Sequence, residues 1–205
     1  MGHYIANLRD IQFCLFDLLG RDQILGKGLF SEIDKETAVG MLEEMKRLSE
    51  NEIAASFVDG DRLGVEFDPK TGEGKLPESF KKSYRAYMDA EWWRLDAPVE
   101  LGGTLVPRSL RWAMAEMILG ANPALHIYVS TSFANVCYQL GTAEQKKIAK
   151  QMIDKQWAAT MVLTEPDAGS DVGAGRSNGR GRTRGAPQSL VGSMRRPPMP
   201  GPAAL

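Results

Sequence analysis

The stretch from residue 161 to residue 171 holds the side chains that are best suited to binding a ligand. Residues 156–164 form a short, β-branched and partly aromatic run, which predicts a β-strand that ends in a tight polar turn. Thr164 and Ser170 carry hydroxyls that both donate and accept hydrogen bonds, and Gly169 permits close approach to the backbone. Such a loop can hold a polar, planar or phosphorylated molecule, and a plain capped polar turn has the same composition.

Cysteine and histidine offer few alternatives for chemistry. Cys14 and Cys137 lie far apart in apolar helical patterns, and the chain has no C-x-x-C spacing. Only His3 and His126 could join them in a metal site, so we expect two buried free thiols rather than a disulfide or a metal centre. His126 falls in the most apolar helix, which favours a core histidine whose hydrogen bonds are satisfied.

Apolar residues recur at steps of three and four through most of the chain before residue 156, which predicts a mainly helical fold. Polar caps, prolines and glycines mark where several of these stretches begin or end. The predicted helices run from Tyr4 to Leu18, from Asp34 to Leu48, from Pro77 to Trp92, from Pro107 to Ile118, from Pro123 to Leu140 and from Thr142 to about Lys155.

The segments between these helices are also predicted from composition. Residues 59–74 are punctuated by Asp, Gly and Pro, which indicates an extended loop or hairpin, and residues 98–103 form a turn. The stretch 123–140 is apolar on almost every side, so we expect it in the centre of a helical bundle. Gly141 closes that helix, and the four residues that follow it form a capping box.

Composition bounds the class of protein without choosing a function. The 205 residues are 43% apolar and 25% charged, close to the average of globular proteins. No run approaches the roughly 18 apolar residues of a membrane span, and the first residues lack a secretion signal, so we expect a cytoplasmic protein. Residues 177–205 hold five Arg, five Gly and five Pro without an acidic or aromatic residue. That tail cannot build a core, so we expect it to be disordered.

A family resemblance rests on the run Leu-Thr-Glu-Pro-Asp-Ala-Gly-Ser-Asp at residues 163–171. It resembles the first signature segment of the acyl-CoA dehydrogenases, with Asp167 in place of the more usual glycine. Four further pieces follow the family's order and spacing: Trp93, residues 98–103, Glu116 and residues 140–147. The resemblance covers about residues 33–176. The helix before it resembles the extra amino-terminal segment of a long-chain, actinobacterial-type subgroup.

The resemblance implies a fold and a division of the chain. The fold class is mainly α: the amino-terminal helical bundle domain of the acyl-CoA dehydrogenase fold, with only the first strand of the middle β-domain and a tail foreign to the family. The four expected regions are an extension helix and linker at 1–32, the α-helical domain at 33–155, the start of the β-domain with the flavin-contacting motif at 156–176, and the Gly/Pro/Arg-rich tail at 177–205.

The implied activity is FAD-dependent removal of hydrogens from Cα and Cβ of an acyl-CoA, giving a trans-2-enoyl-CoA in fatty acid β-oxidation. Electron-transfer flavoprotein is the implied electron acceptor, and full-length members are homo-oligomers. By position, Met161, Leu163 and Thr164 would contact the flavin ring. Gly169 and Ser170 would approach the flavin phosphates, and Ser170 would also approach the thioester arm of the substrate.

We expect neither Asp171 nor Glu165 of the motif to be a catalytic base, and other functions for the chain stay open. Asp171 is expected to cap the turn. Glu165 is not the implied base, because the family's base comes from a carboxy-terminal domain that nothing in this chain matches. We therefore predict no catalytic residue here. The alternatives are a non-enzymatic helical interaction module and one part of a split enzyme. The five arginines of the tail, without interleaved aromatic residues, are only a weak signal for a nucleic-acid binder.

The abrupt loss of acidic and aromatic residues after Arg176 suggests a shifted reading frame. We predict that one of the other two frames of the encoding DNA, translated past codon 176, continues with β-strands typical of the family. Sequencing the gene tests this prediction. If neither frame encodes such strands, the hypothesis of a frameshift is wrong.

Overall fold

A computed structural model describes residues 2–129, 132–157, 159, 164–166 and 168–175, and within them the fold is mainly α-helical, as predicted. Eight α-helices and one short hairpin are present in these residues. They are α1 (Leu8–Gln12), α2 (Lys35–Leu48), α3 (Phe57–Leu63), β1 (Glu66–Asp68), β2 (Glu73–Lys75), α4 (Glu78–Asp89), α5 (Arg108–Ala121), α6 (Pro123–Tyr128), α7 (Ser132–Leu140) and α8 (Ala143–Asp154).

Helix α2 follows the predicted pattern closely. The Asp34 carboxylate accepts a hydrogen bond from the Thr37 backbone N–H, which satisfies one of the free donors of the first turn. That bond lowers the pKa of Asp34, because it stabilises the ionised form. The apolar stripe of the helix is buried, with Leu42 and Met45 completely enclosed. The helix then continues through a π-helical turn, Ser49–Ile53, and a short 3₁₀ turn into α3.

Buried polar groups join this bent helix to its neighbours. The Ser83 hydroxyl of α4 donates to the Glu52 carbonyl at 2.6 Å, inside the π-helical turn. The Asn122 amide, between α5 and α6, donates to the Ser56 hydroxyl at 3.0 Å. The Asn122 side-chain oxygen in turn accepts from the Leu125 backbone N–H and caps α6. Because buried polar groups must find partners, these bonds define how α4 and the α5–α6 junction meet the bent helix.

The apolar core lies among α2, α4 and α5. Helix α5 packs on α2, on α6 and on the π-helical turn, and α4 packs on that same turn. The predicted stripe of α5 is confirmed, and that of α4 is confirmed as far as Met88. The predicted helix from Pro77 to Trp92 ends early, at Asp89, because Glu91 has a positive φ of 58°, and Trp92 lies in the 3₁₀ turn that follows. The buried inward residues of both helices lie in one cluster. On α4 these are Phe80, Tyr84, Tyr87 and Met88, and on α5 they are Leu110, Met114, Met117 and Ile118.

The predicted loop or hairpin at 59–74 is confirmed only in its second half. Strands β1 and β2 pair antiparallel, with Glu66 opposite Lys75, and all six strand residues are exposed. The first five residues of the predicted loop instead belong to α3. The helix extends to Leu63 because it continues an existing helix and needs no new nucleation, and it ends at Gly64.

The prediction of one central helix over residues 123–140 is wrong. The chain forms two separate helices, α6 and α7, with Ile127 76% and Leu140 84% exposed. Helix α6 ends at Tyr128 with Val129 as its C-cap, and an end there removes the common phase that a single helical circle assumes. The Val-Ser-Thr-Ser sequence at 129–132 has low helix propensity. Helix α7 packs chiefly on α8 and does not occupy the centre of the bundle.

Helix α8 is fixed at both ends. The predicted capping box is present: the Thr142 hydroxyl accepts from the Gln145 backbone N–H, and the Gln145 side chain accepts from the Thr142 N–H at 2.8 Å. At the other end Gln156 has a positive φ of 50°, and the Trp157 N–H donates back to the Met152 carbonyl. This is a Schellman-type closure, so Gln156 ends the helix and does not begin the predicted strand.

The amino-terminal helix is shorter than predicted. It starts at Leu8, because Asn7 caps it by accepting from the Asp10 N–H, and it continues as a π-helix to Leu18, which is 68% exposed. The residues before it are held on the body of the fold by side chains. The Ala6 N–H donates to the Glu50 carboxylate at 2.9 Å, and the Tyr4 ring lies against Gly120 of α5.

The prediction of a hydrogen-bonded core histidine is wrong for one atom of His126. Its Nδ1 is buried and has no partner among the residues that the structure describes. Nearby, Arg111 donates two hydrogen bonds to Asp96, at 2.7 and 2.6 Å. Burial and, to a lesser extent, the Arg111 charge lower the pKa of His126, while Asp96 opposes the shift. Among the described residues, no helix is long and apolar enough to cross a membrane.

Replacing Gly120 tests the docking of the amino-terminal segment. An added Cβ would lie 2.3 Å from the Tyr4 ring, so we expect Gly120→Ala to displace the ring and lower the melting temperature. Gly40→Ala on α2 is the matched control, since nothing lies within 4 Å of its Cβ. Alanine at that exposed helical position should stabilise by about 1 kcal/mol. In a Tyr4→Ala background, Gly120→Ala should also stabilise the protein. If it still lowers the melting temperature there, contact with the Tyr4 ring is not the cause of the destabilisation.

The lowered pKa of His126 predicts a dependence of stability on pH. The unfolded chain takes up the His126 proton near the ordinary pKa of 6.5, whereas the folded chain takes it up only at lower pH. As the pH is lowered from about 7 to about 5.5, the free energy of unfolding should therefore decrease. This range of pH lies above the one in which carboxylates titrate. His126→Asn should flatten this part of the profile, measured by thermal unfolding. An unchanged slope in the His126 variant would contradict the assignment.

Candidate functional site

A closed four-residue turn forms the centre of the candidate loop. The Glu165 N–H donates to the Ala168 carbonyl at 3.0 Å, and the Ala168 N–H donates back to the Glu165 carbonyl at 3.1 Å. Pro166 lies between them, where it has no N–H to satisfy and its ring restricts φ. Ala168 is 2% exposed, so one corner of the turn is buried. The predicted tight turn is therefore present.

The residues that flank this turn face outward. Thr164, Gly169 and Ser170 are all exposed. After them the chain enters a short 3₁₀ turn, Val172–Ala174, in which the Ala174 N–H donates to the Asp171 carbonyl at 3.1 Å. Asp171 thus helps to close the end of the loop through its backbone. The loop presents two hydroxyls on either side of a rigid, hydrogen-bonded turn.

Gly169 is not required by the packing of the loop itself. Its φ lies outside the positive range that favours glycine, and no described atom lies within 4 Å of the position that a Cβ would occupy. Alanine could therefore stand there without strain from the described part of the chain. A glycine at this place leaves the backbone open on the exposed side of the loop, which suits the approach of a flat or phosphorylated molecule.

Three of the five predicted cofactor-binding residues are thus placed, and two are not. Thr164, Gly169 and Ser170 lie together on one short loop. Met161 and Leu163 lie outside the described residues, as do most of the predicted strand and the tail from residue 176. Glu165 contributes its backbone to the turn, and its place within the motif does not by itself give it a catalytic role.

Neither cysteine offers a second site. Both thiols are free, as predicted, but the prediction that both are buried is wrong for Cys14, which is exposed on the π-helical part of the first helix. Cys137 is half-buried on α7, and burial raises the pKa of its thiol. The described residues contain no cluster of three or more His, Cys, Asp or Glu that could hold a metal ion.

The sequence analysis missed a second group of polar residues beside α5. Asp96, Arg111, His126 and Asn135 line one cavity, although they lie in four different segments of the chain. No local motif marks them, because the cavity arises only when α5, α6 and α7 come together. The Asp96–Arg111 spacing alone is an ordinary separation between a turn and a helix.

Comparisons with known proteins agree with the resemblance of the motifs. No family model matches the chain. The broad-specificity linear acyl-CoA dehydrogenase FadE5 of Mycobacterium tuberculosis is 52% identical over 178 residues, which are 86% of this chain and 29% of that protein. The 3-methylmercaptopropionyl-CoA dehydrogenase of Ruegeria pomeroyi is 31% identical over 172 residues, 82% of this chain and 29% of the relative. A butyryl-CoA dehydrogenase of Syntrophomonas wolfei is 26% identical over 183 residues, 85% of this chain and 30% of the relative.

The similar proteins differ in their named substrates but share one type of enzyme. The chain spans less than a third of the length of each of these curated relatives. The higher identity with a mycobacterial protein agrees with the actinobacterial-type resemblance of the amino-terminal segment. Helical structure, the signature loop and the aligned relatives lead to one conclusion: over its aligned residues, this chain belongs to the acyl-CoA dehydrogenase family and corresponds to its amino-terminal helical part.

Proposed function

We propose that this chain supplies part of the FAD site of an acyl-CoA dehydrogenase acting on linear acyl-CoA thioesters. The observation that carries the proposal is the pair of reciprocal backbone hydrogen bonds between Glu165 and Ala168, beside which Thr164, Gly169 and Ser170 are exposed. The linear acyl chain is taken from the name of the mycobacterial relative. Because the chain spans 29% of that relative, the activity of the whole enzyme is part of the proposal.

The described residues fit the group that the family implies. Thr164 and Ser170 hydroxyls can both donate and accept, so they suit the polar edge of a flavin ring and a phosphate oxygen. Gly169 leaves the backbone open where a Cβ would meet only space among the described atoms. In the proposal Met161 and Leu163 supply the apolar contacts to the ring. When bound, FAD would accept the hydrogen that leaves Cβ of the acyl chain as hydride.

The chain's own residues would bind and orient, and they would not move the α-proton. No carboxylate of the loop is assigned that task, because the resemblance places the family's base in a carboxy-terminal domain that nothing in this chain matches. The proposal therefore places the base, and the rest of the flavin enclosure, in a part of the enzyme without a counterpart in these residues. Electron-transfer flavoprotein as acceptor, assembly into homo-oligomers and a role in fatty acid β-oxidation belong to the same proposal.

A second candidate function rests on apolar side chains that the bundle leaves exposed. Ile127 of α6, and Val136 and Leu140 of α7, lie on the surface and together favour contact with another protein or domain. The alternative is thus a helical interaction module, either without enzymatic activity or paired with a separately encoded remainder of the enzyme. A measurement of flavin binding distinguishes the module without enzymatic activity from the proposed FAD site.

We predict that the purified 205-residue chain binds FAD, seen as yellow colour or as a change in flavin absorbance and fluorescence during a titration. Gly169→Ala should keep the melting temperature, because the Cβ meets no described atom, but should weaken FAD binding by placing a methyl group against the cofactor. Ser170→Ala should weaken FAD binding about tenfold, the usual effect of losing one hydrogen bond to a charged group.

Gly40→Ala is the control for the glycine substitution, since Gly40 lies on the exposed face of α2 and an added Cβ there meets open space. It should leave FAD affinity unchanged. A folded protein that stays colourless with added FAD would show that these residues do not hold FAD by themselves and would favour the interaction module. FAD binding with equal affinity in Gly169→Ala and Ser170→Ala would place the flavin elsewhere than this loop.

A further inference from the structure

A cavity of about 490 Å³ lies beside the bundle, between the segment 95–106, the first turns of α5, and helices α6 and α7. Its volume is in the range of sites that hold small organic molecules. None of the residues that line it belongs to the candidate loop at 164–171. The cavity is therefore a different site from the one proposed for FAD, and its chemistry can be considered independently.

Two guanidinium groups and two carboxylates line the cavity, and within the described residues only one pair of them, Arg111 and Asp96, forms a salt bridge. Arg111 is neutralised by its two hydrogen bonds to Asp96, and both side chains are 15% exposed. Arg108, the first residue of α5, also lines the cavity and makes no salt bridge within the described part of the chain. It lies at the positive end of the α5 dipole, which also favours an anion. Glu100 is the opposing charge, on an exposed turn at the rim.

Neutral hydrogen-bonding groups also line the cavity. Asn135 and Gln139 are four residues apart on α7 and therefore share one face of that helix, and both line the cavity. His126 lines it as well, and its lowered pKa keeps it neutral at pH 7. Amides and a neutral imidazole can donate hydrogen bonds to a carboxylate without adding a second full charge.

The remaining lining is apolar and includes one large flat ring. Trp112 is 57% exposed, with the Arg111 guanidinium 5.0 Å from its ring centroid and the His126 ring tilted at 6.5 Å. Leu95, Leu105 and Val106 line the cavity from the 95–106 segment. An inorganic anion would leave this apolar surface exposed to water, whereas a ligand with a flat apolar body would cover it.

We propose that this cavity binds an organic monocarboxylate with a compact, flat apolar body. The carboxylate pairs with Arg108 and accepts hydrogen bonds from the amides of Asn135 and Gln139. The apolar body lies against Trp112 and the 95–106 segment. The combination of one unpaired guanidinium, two amides and an exposed indole around a single cavity is what selects this class of ligand.

The test uses the full 205-residue chain with two probes of the same shape, 2-naphthoate and its neutral amide, 2-naphthamide. Binding is measured by calorimetry and by saturation-transfer NMR observed on the probe. We expect a Kd for 2-naphthoate of about 1 mM or tighter, in line with the efficiency of ligands of this size. The amide should bind at least about tenfold more weakly, because it lacks the charge that Arg108 recognises.

Three substitutions locate the binding. Arg108→Gln should reduce the affinity for 2-naphthoate to that of the amide, and Arg62→Gln, at an exposed arginine on α3, is the matched control that should change neither. Thr104→Trp should block both probes, because Thr104 is an exposed residue of the lining and an indole there would fill the cavity. Circular dichroism confirms that each variant is folded.

Equal affinities for 2-naphthoate and 2-naphthamide in the parent chain would overturn the proposal, and so would the absence of binding. Binding that survives Thr104→Trp would also overturn it, since the probe would then lie outside this cavity. Failure of this test leaves the FAD proposal untouched, because the two sites share no residue. Should Arg108→Gln be poorly folded, the two probes and Thr104→Trp still decide the question.

Discussion

The buried hydrogen bonds around the π-helical turn Ser49–Ile53 are the constraint on which the helical bundle depends. The turn places the Glu52 carbonyl where the Ser83 hydroxyl of α4 can donate to it at 2.6 Å, and a few residues later Ser56 meets Asn122. An unsatisfied polar group in this position would cost about 1–3 kcal/mol. The three chain segments must therefore meet in one register, and the apolar core fills the space that this register leaves.

The two candidate sites differ in how the fold supports them. The signature loop is rigid through its own backbone, with two reciprocal hydrogen bonds and the buried Ala168, and it presents its functional groups outward. The cavity is built from four segments that come together only in the folded chain, and its charges are arranged by the Asp96–Arg111 pair. A loop of the first kind leaves a mark in sequence, because consecutive residues must cooperate. A cavity of the second kind leaves none.

The same difference explains which features could be predicted from sequence. Helices α2, α4 and α5 each have one apolar face and one polar face, so their period predicts most of their buried residues. Their ends are less well predicted, because α4 ends at Asp89 rather than Trp92 and α5 continues beyond Ile118 to Ala121. Residues 123–140 are apolar on nearly every side, so the sequence defines no buried helical face there. Such a pattern does not show that α6 and α7 are separate helices. The first helix begins at Leu8 because the Asn7 side chain caps it. The apolar stripe from Tyr4 continues across this cap, so the spacing of apolar residues alone does not show where the helix starts. The flavin contacts of Met161 and Leu163 and the disorder of the tail stay predictions.

The closures at the two ends of α8 have a consequence for insertions and deletions. The Thr142–Gln145 box and the reversed backbone at Gln156 together define the number of residues in that helix. One residue added between them would advance the end of the helix by about 1.5 Å and rotate it by about 100°. The chain that leaves α8 would then set out in another direction. Changes of length are thus expected to be tolerated in the exposed β1–β2 hairpin and selected against within α8.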